Sequence, residues 1–297
     1  MSSSEELKKP HGLPNKYLDD LDNDFFYHFS YSRSDCKKKF GDVKIVVCGG
    51  SMSRMGVFAE KVAREIGHHQ VTKEELSISR TDRFAFYKIG RVLSVSHGMG
   101  VPSLTIMLHE IIKLLRYAEA DDPVIIRLGT SGGLGVPAGT VVVTNKAYNA
   151  FCEEVHEIVV MGKRVRRPSL MNQDVAQEIK SCQDDHSFKT VLAGTMCTDD
   201  FYEGQARTDG AVCEHTEEEK LAYLKEIKEK GISNIEMECS ALAALTHHTG
   251  IKAAVVCVAL LDRLKGDQVS ISPEDYAEYQ RRPQALIVRF IKHKLGI

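Results

Sequence analysis

A short apolar run that carries one charge and ends on glycines, Val124-Ile125-Ile126-Arg127-Leu128-Gly129-Thr130-Ser131-Gly132-Gly133, constrains the chain more than any other stretch. Apolar residues bounded by glycines read as a buried strand running into a loop. A buried charge is costly unless it is paired, so Arg127 must meet an anion. That anion is either a structural Asp or Glu or a bound ligand. Thr130 and Ser131 add hydroxyls, and the glycines let backbone N–H groups come close to a bound group. Arg127 with this turn reads as a phosphate cradle, and the structural ion pair stays open beside it.

Composition removes several classes of function. At 297 residues and 43% hydrophobic content the chain can bury a large core, in one α/β domain or in two smaller ones. The net charge of −2 and pI of about 6.6 give no electrostatic case for nucleic acid or for a membrane surface. No apolar run approaches the roughly 18–20 residues needed to span a bilayer, and Met1-Ser2-Ser3-Ser4-Glu5-Glu6 has no apolar core of a secretory signal. The eight cysteines form no CxxC, and Cys48, Cys197 and Cys257 sit in apolar runs as buried free thiols would. With no HExxH either, a reduced cytoplasmic protein without a metal or cofactor is expected.

Along the chain, strand-like and helix-like segments alternate. Residues 1–24 are polar, with Pro10 and Pro14, and read as a flexible arm; 25–297 reads as the folded domain. Phe25-Phe26-Tyr27-His28-Phe29 is too short to form its own core and must pack on the body or on a neighbouring subunit, with His28 as a structural histidine. Val43 to Gly50 reads as a strand, followed by Ser51-Met52-Ser53-Arg54 and a helix to about Gly67. This is a βα turn resembling an anion site at a helix N-terminus. Ser79 to Phe84 reads as a solvated loop. Val92 to Gly100 is another strand into glycines, before a helix over about 104–119. Lys163, Arg164, Arg166 and Arg167 read as a solvated basic face. Residues 216–230 read as an exposed helix capped by Thr216 and Glu219. Ile235-Glu236-Met237-Glu238-Cys239 heads an Ala/Leu-rich helix, and Ala253 to Leu261 is the last buried strand. The alternation implies an α/β fold with a largely parallel sheet, and in such folds ligands bind beyond the carboxyl ends of the strands.

Three groups of side chains carry chemistry. Arg54, Arg127 and Thr130 suit a phosphate, whose oxygens match a guanidinium fork. Gln205 and Arg207 suit a flat ring bearing carbonyl and N–H groups. Glu236 and Glu238 can accept hydrogen bonds from sugar hydroxyls, with Met237 against a ribose face. An isolated Glu-x-Glu is also an ordinary acidic first turn of a helix. Anion, sugar and base together suggest phosphorolysis of a nucleoside.

The ordered motifs Gly49-Gly50-Ser51-x-Ser53-Arg54, Ser96-His97-Gly98-Met99-Gly100, Arg127-x-Gly129-Thr130-Ser131-Gly132-Gly133, Phe201-Tyr202-Glu203-Gly204-Gln205-x-Arg207 and Glu236-Met237-Glu238 resemble those of the uridine phosphorylases of the nucleoside phosphorylase-I family, over about 25–297. The longer N-terminal segment and Asp82-Arg83-Phe84 look closer to the animal members than to the bacterial ones. The resemblance implies a single domain with a central mixed, largely parallel, distorted sheet or barrel flanked by helices. It implies phosphate binding by Gly50, Arg54, Arg127 and Thr130, with Arg83 reaching in from a neighbouring subunit. It implies ribose binding by Met237 and Glu238, with His28 reaching the 5′-hydroxyl across a dimer interface. For the base it implies Gln205 and Arg207, with Phe201, Ser131, Gly132, Glu236, Leu260 and Arg263 around the ring. The implied reaction is reversible phosphorolysis of uridine to uracil and ribose 1-phosphate, a step of pyrimidine salvage. Arg207, Gln205 and Arg127 would be its catalytic residues, in at least a homodimer, with no metal.

Two departures qualify the match. Asp262 stands where pyrimidine enzymes of this family usually carry Asn, which bears on base selectivity. Phe84 stands where bacterial members place a Glu for a potassium ion, so no such ion is expected. A purine nucleoside phosphorylase, a nucleoside hydrolase and a catalytically silent relative are the competing readings. The arginines count against hydrolysis and Leu260 against a purine.

Overall fold

The computed structural model describes residues 12–18, 20–68, 70–183 and 188–297. The chain divides into two compact units, residues 1–126 with 245–253 and residues 127–244 with 254–297.

The first unit holds β1 (Phe25–Phe26), β2 (Tyr31–Ser32), α1 (Arg33–Phe40), β3 (Ile45–Gly49), α2 (Met52–Glu65), α3 (Lys73–Leu76), β4 (Phe86–Ile89), β5 (Val92–Ser96) and α4 (Gly100–Tyr117). β5 pairs in parallel with β3 and antiparallel with β4. Met55, Phe58, Ala59 and Val62 recur at helical spacing, and α2 buries that stripe. The aromatic segment packs on this body: Phe26 stacks on Tyr117 at 6.0 Å, and Phe29 lies 4.7 Å from Phe86. Of the segment read as an arm, residues 1–11 lie outside the described residues. Its end is tied down: Asp24 is buried and accepts hydrogen bonds from Lys113 and Tyr117, each at 2.9 Å.

The second unit holds β6 (Val124–Gly133, entering from the first), β7 (Val141–Tyr148), β8 (Val155–Val160), β9 (Lys163–Pro168), α5 (Gln173–Ser181), β10 (Thr190–Cys197), α6 (Glu217–Glu229), β11 (Ile232–Glu236), α7 (Cys239–His248), β12 (Lys252–Asp262) and α8 (Pro273–Leu295). β10 lies between β7 and β11, parallel to both. β12 runs antiparallel to β7 and neighbours β6. β6 returns to pair antiparallel with β11 through Gly132↔Ile235 and Gly133↔Asn234, which closes these strands into a mixed barrel.

The barrel explains where the sequence pattern misleads. The glycines after Arg127 do not begin a loop: β6 runs on to Gly133. A side chain on Gly133 would meet the Leu261 carbonyl oxygen at 2.7 Å and the Ala259 Cβ at 2.9 Å, so its missing Cβ lets neighbouring backbone approach. Gly133→Ala is expected to cost about 1–3 kcal/mol through overpacking, read as a lowered urea midpoint with an unchanged slope. Likewise Ile235 and Glu236 do not head a helix; they end β11, and α7 starts at Cys239.

Inside the barrel the strands share one hydrogen-bonded chain. Thr144 on β7 meets Thr195 on β10 at 2.6 Å, and Thr195 donates to Asn234 on β11 at 2.7 Å. Asn234 donates to Ser131 on β6 at 2.9 Å, and Ser131 donates to the Val258 carbonyl on β12 at 3.3 Å. Fully buried polar groups of this kind are tolerated because each is satisfied. The basic run Lys163 to Arg167 forms β9 of a hairpin, its side chains largely exposed as on a solvated face, with Arg166 paired to Glu153 and Glu157. α6 begins with the Thr216–Glu219 capping box, but it is not an exposed helix: Lys220, Leu224 and Ile227 are buried.

Candidate active site

Arg127 is the centre of the second unit's polar residues. Its side chain is only 5% exposed and pairs with Glu236 at 3.1 Å and with Glu238. Nη1 also donates to the Cys257 thiol at 3.0 Å. Of the two partners open on the sequence, the structure thus shows the carboxylates. Glu236 is fully engaged by the protein: its oxygens accept from the backbone N–H of Glu238 at 3.0 Å and of Cys239 at 2.8 Å, besides Arg127. It ties the start of α7 to Arg127. Burial pushes its carboxyl above the ordinary range, the charge of Arg127 opposes that rise, and the neighbouring Glu238 adds to it. Glu238 is buried beside Arg127, with half-buried Met237 between the two acids. Burial likewise lifts the Cys257 thiol to about 12, so Arg127 faces a neutral sulfur there.

A second cluster follows β10. Arg207 makes a two-pronged contact with Asp209, Nε to Oδ1 at 2.8 Å and Nη2 to Oδ2 at 2.6 Å. That hydrogen-bonded pairing lowers the Asp209 carboxyl below its ordinary value. The guanidinium lies 4.5 Å from the ring centre of half-exposed Phe201 and 5.6 Å from Tyr202, which stack edge to face. The edge of Arg207 turned away from Asp209 keeps N–H donors for a ligand. Gln205 is buried, and Arg263 donates to its backbone oxygen at 2.8 Å and to its side-chain oxygen at 3.4 Å. Arg263 is fully buried and bound to Asp267 at 2.9 Å. Arg263 thus backs Gln205. Ser131 spends its hydroxyl inside the barrel, while Thr130, Gly132 and Leu260 keep partly exposed positions on β6 and β12. Asp262 closes a turn, its Oδ1 accepting from the backbone N–H of Gly135 at 3.0 Å and of Leu264 at 3.2 Å, contacts that an Asn oxygen would make equally.

Asp209, Lys220, Asn234 and Asp267 were not among the residues singled out from the sequence. Lys220 and Glu217, three residues apart on α6, have a helical spacing that could have pointed to their pairing.

In the first unit, Ser51 caps α2 by accepting from the Arg54 backbone N–H at 3.4 Å. A Cβ on Gly50 would meet the Gly98 carbonyl oxygen at 2.8 Å, which requires glycine at this turn. The loop read as solvated is docked: Thr81 donates to the His28 carbonyl at 2.6 Å, and Phe84 is buried against Phe29. Arg83 is exposed on it. His28 meets Glu110 through Nδ1 at 2.7 Å, and Glu110 also accepts from the backbone N–H of His28 and Phe29. A carboxylate on Nδ1 fixes the imidazole's tautomer and leaves Nε2 as the acceptor of the neutral ring.

Among the described residues, Cys197, Glu236 and Cys239 are the side chains grouped closely enough to hold a metal ion. A cation there would face Arg127, and burial pushes the Cys239 thiol far up, so this cluster does not favour metal binding. Among the described residues no helix is long and apolar enough to cross a membrane.

Residues 44–292 match the model of the phosphorylase superfamily, and the chain belongs to that family. It is 49% identical to uridine phosphorylase 1 of Mus musculus, over 96% of this chain and 93% of that one. It is 45% identical to uridine phosphorylase 2 of Homo sapiens, over 96% and 91%. A crystal structure of uridine phosphorylase from Schistosoma mansoni in complex with thymidine superposes with a TM-score of 0.91 at 40% identity, covering 95% of this chain and 98% of that one. The α/β architecture with its closed mixed barrel is therefore the fold of that family.

Proposed function

We infer that the chain is a uridine phosphorylase, cleaving uridine with phosphate to uracil and ribose 1-phosphate. One observation carries this best: Gln205 and Arg207, the pair suited to a uracil edge, each have a dedicated charged support, in a chain 49% identical to a named uridine phosphorylase. The phosphate roles of Gly50, Arg54, Arg83, Arg127 and Thr130, and the ribose roles of His28, Met237 and Glu238, rest on the family resemblance. So does the placing of Ser131, Gly132, Phe201, Glu236, Leu260 and Arg263 about the base.

In this reading the C1′–N1 bond weakens and the ribose becomes oxocarbenium-like. The phosphate dianion attacks C1′ from the opposite face, with inversion. The bonding electrons leave with the uracil, whose negative charge spreads to O2 and O4. Arg207 and Gln205 hold that charge more tightly in the transition state than in the substrate, which is the requirement for a rate gain. His28 and Arg83 would act across a homodimer interface, so an active monomer in sedimentation would contradict their roles. The eight cysteines, none of them in a disulfide, fit a reducing cytoplasm.

The decisive assay follows uridine absorbance with and without phosphate, with inosine in parallel. Phosphate-dependent loss of uridine is expected. Turnover of inosine alone would return the purine reading, and no turnover of either would return the silent relative.

A further inference from the structure

Lys220 is the least ordinary residue of the second unit. It sits on α6 at 2% exposure, where the helix otherwise buries Leu224 and Ile227. A lysine is seldom so buried unless paired. Its ammonium meets Asp267 at 2.8 Å and Glu217 at 2.9 Å. Asp267, at 6% exposure, is in turn the hub of the base-recognition loop. One of its oxygens takes Arg263 Nε at 2.9 Å. The other takes the backbone N–H of Thr208 at 3.0 Å and its hydroxyl at 3.2 Å. Asp267 therefore holds Gln205 through Arg263 and holds Arg207 through the next residue of the chain.

This hub has a consequence for hydrogen-bond polarity. A glutamine amide can present its oxygen and nitrogen either way round. Arg263 has donors only, so the group of Gln205 that faces its Nη1 at 3.4 Å must be the oxygen. With that end fixed, Gln205 offers a ring the second lone pair of Oε1 beside the N–H of Nε2. Uracil presents the complement, an N–H next to a carbonyl. Cytosine presents the inverse, a bare ring nitrogen next to an amino group. A turned amide would suit cytosine, but it would set an amino group against the guanidinium.

We propose that Asp267, paired with Lys220, is the positioning residue that locks the polarity of Gln205 and thereby selects uracil-type over cytosine-type nucleosides. This rests on the uridine phosphorylase reading above. The carboxylate must stay charged to do it. Burial opposes the charge, but the hydrogen bonds from Lys220 and Thr208 and the charge of Arg263 prevail and hold its pKa at about 2. Lys220 is thus the second cation that lets one buried carboxylate serve both arms of the loop.

The test uses the full-length protein with Asp267→Asn and the double variant Asp267→Asn/Lys220→Met. The double variant removes one buried charge of each sign and so avoids a stranded lysine. Steady-state kinetics on uridine and cytidine, at saturating phosphate, are read beside thermal melts. Both variants are expected to raise KM for uridine about tenfold or more, and to lower the uridine-to-cytidine ratio of kcat/KM by at least about tenfold. The KM for phosphate is expected to stay within about twofold of the parent. Variants with lowered melting temperature but the parental uridine-to-cytidine ratio would overturn the proposal and leave a merely structural ion pair. If the single variant does not fold, the ratio measured on the double variant decides between these outcomes. A parent protein without phosphate-dependent uridine cleavage would instead sink the functional reading, so the two failures are told apart.

Discussion

Arg127→Met should be the most damaging single substitution, abolishing turnover and costing about 3–5 kcal/mol of stability at neutral pH, the usual penalty for stranding a buried charge. Two carboxylates with side chains 2% and 5% exposed would be left facing each other without a cation. Glu236 is already raised above 4.5 by burial with Arg127 present, and without it the rise must be larger. The sign of the pH dependence follows. A carboxyl whose folded pKa lies above its unfolded value takes up protons on folding, so the variant gains on the parent as pH falls and loses as it rises. Urea melts between pH 8 and pH 5 should show the gap narrowing toward the acid end. A gap that is absent at neutral pH would mean that Arg127 is dispensable to the clamp on Glu236 and Glu238.

Arg207→Ala should separate activity from folding. Loss of a donor that meets charge developing in the transition state costs roughly 10²- to 10³-fold in kcat. The surroundings tolerate the change: the Asp209 side chain is 22% exposed, and Phe201 and Tyr202 are half exposed, so nothing deeply buried loses its partner. The melting temperature is expected to move by no more than a few degrees, because the carboxylate left behind, Asp209, can be solvated. Arg207→Lys should not restore the rate, because an ammonium cannot span both oxygens of Asp209 while lying flat beside Phe201. Full activity in the lysine variant would show that charge alone, without the planar fork, is what the site needs.

The arginine in the apolar run of β6 was legible as a residue that must find an anion, and it has two. The Thr216–Glu219 cap, the apolar stripe of α2 and the turn at Gly50 were also legible, because each is a local pattern with a local cause. What stayed hidden depends on partners far along the chain. Gly129 to Gly133 look like a loop until β11 and β12 are in place beside them. Ile232–Glu236 is a strand because β10 and β6 flank it, although its last residues pattern like a helix start. Lys220 reads as one more charge on a polar helix, since no local spacing announces Asp267, 47 residues on.

The barrel's closure also carries a kinetic implication. The seam between β6 and β11 consists of Gly132↔Ile235 and Gly133↔Asn234, extended by one bond from the Leu134 amide to Ser233. So short a ladder can open by local fluctuation without unfolding the remaining strands. Glu236, which anchors Arg127, lies one residue beyond it. Breathing of the seam would therefore loosen the clamp on Arg127, and any ligand that engages Arg127 should slow deuterium uptake at the amides of 132–135 and 233–236. Hydrogen exchange at this seam would then report occupancy of the site from inside the barrel wall.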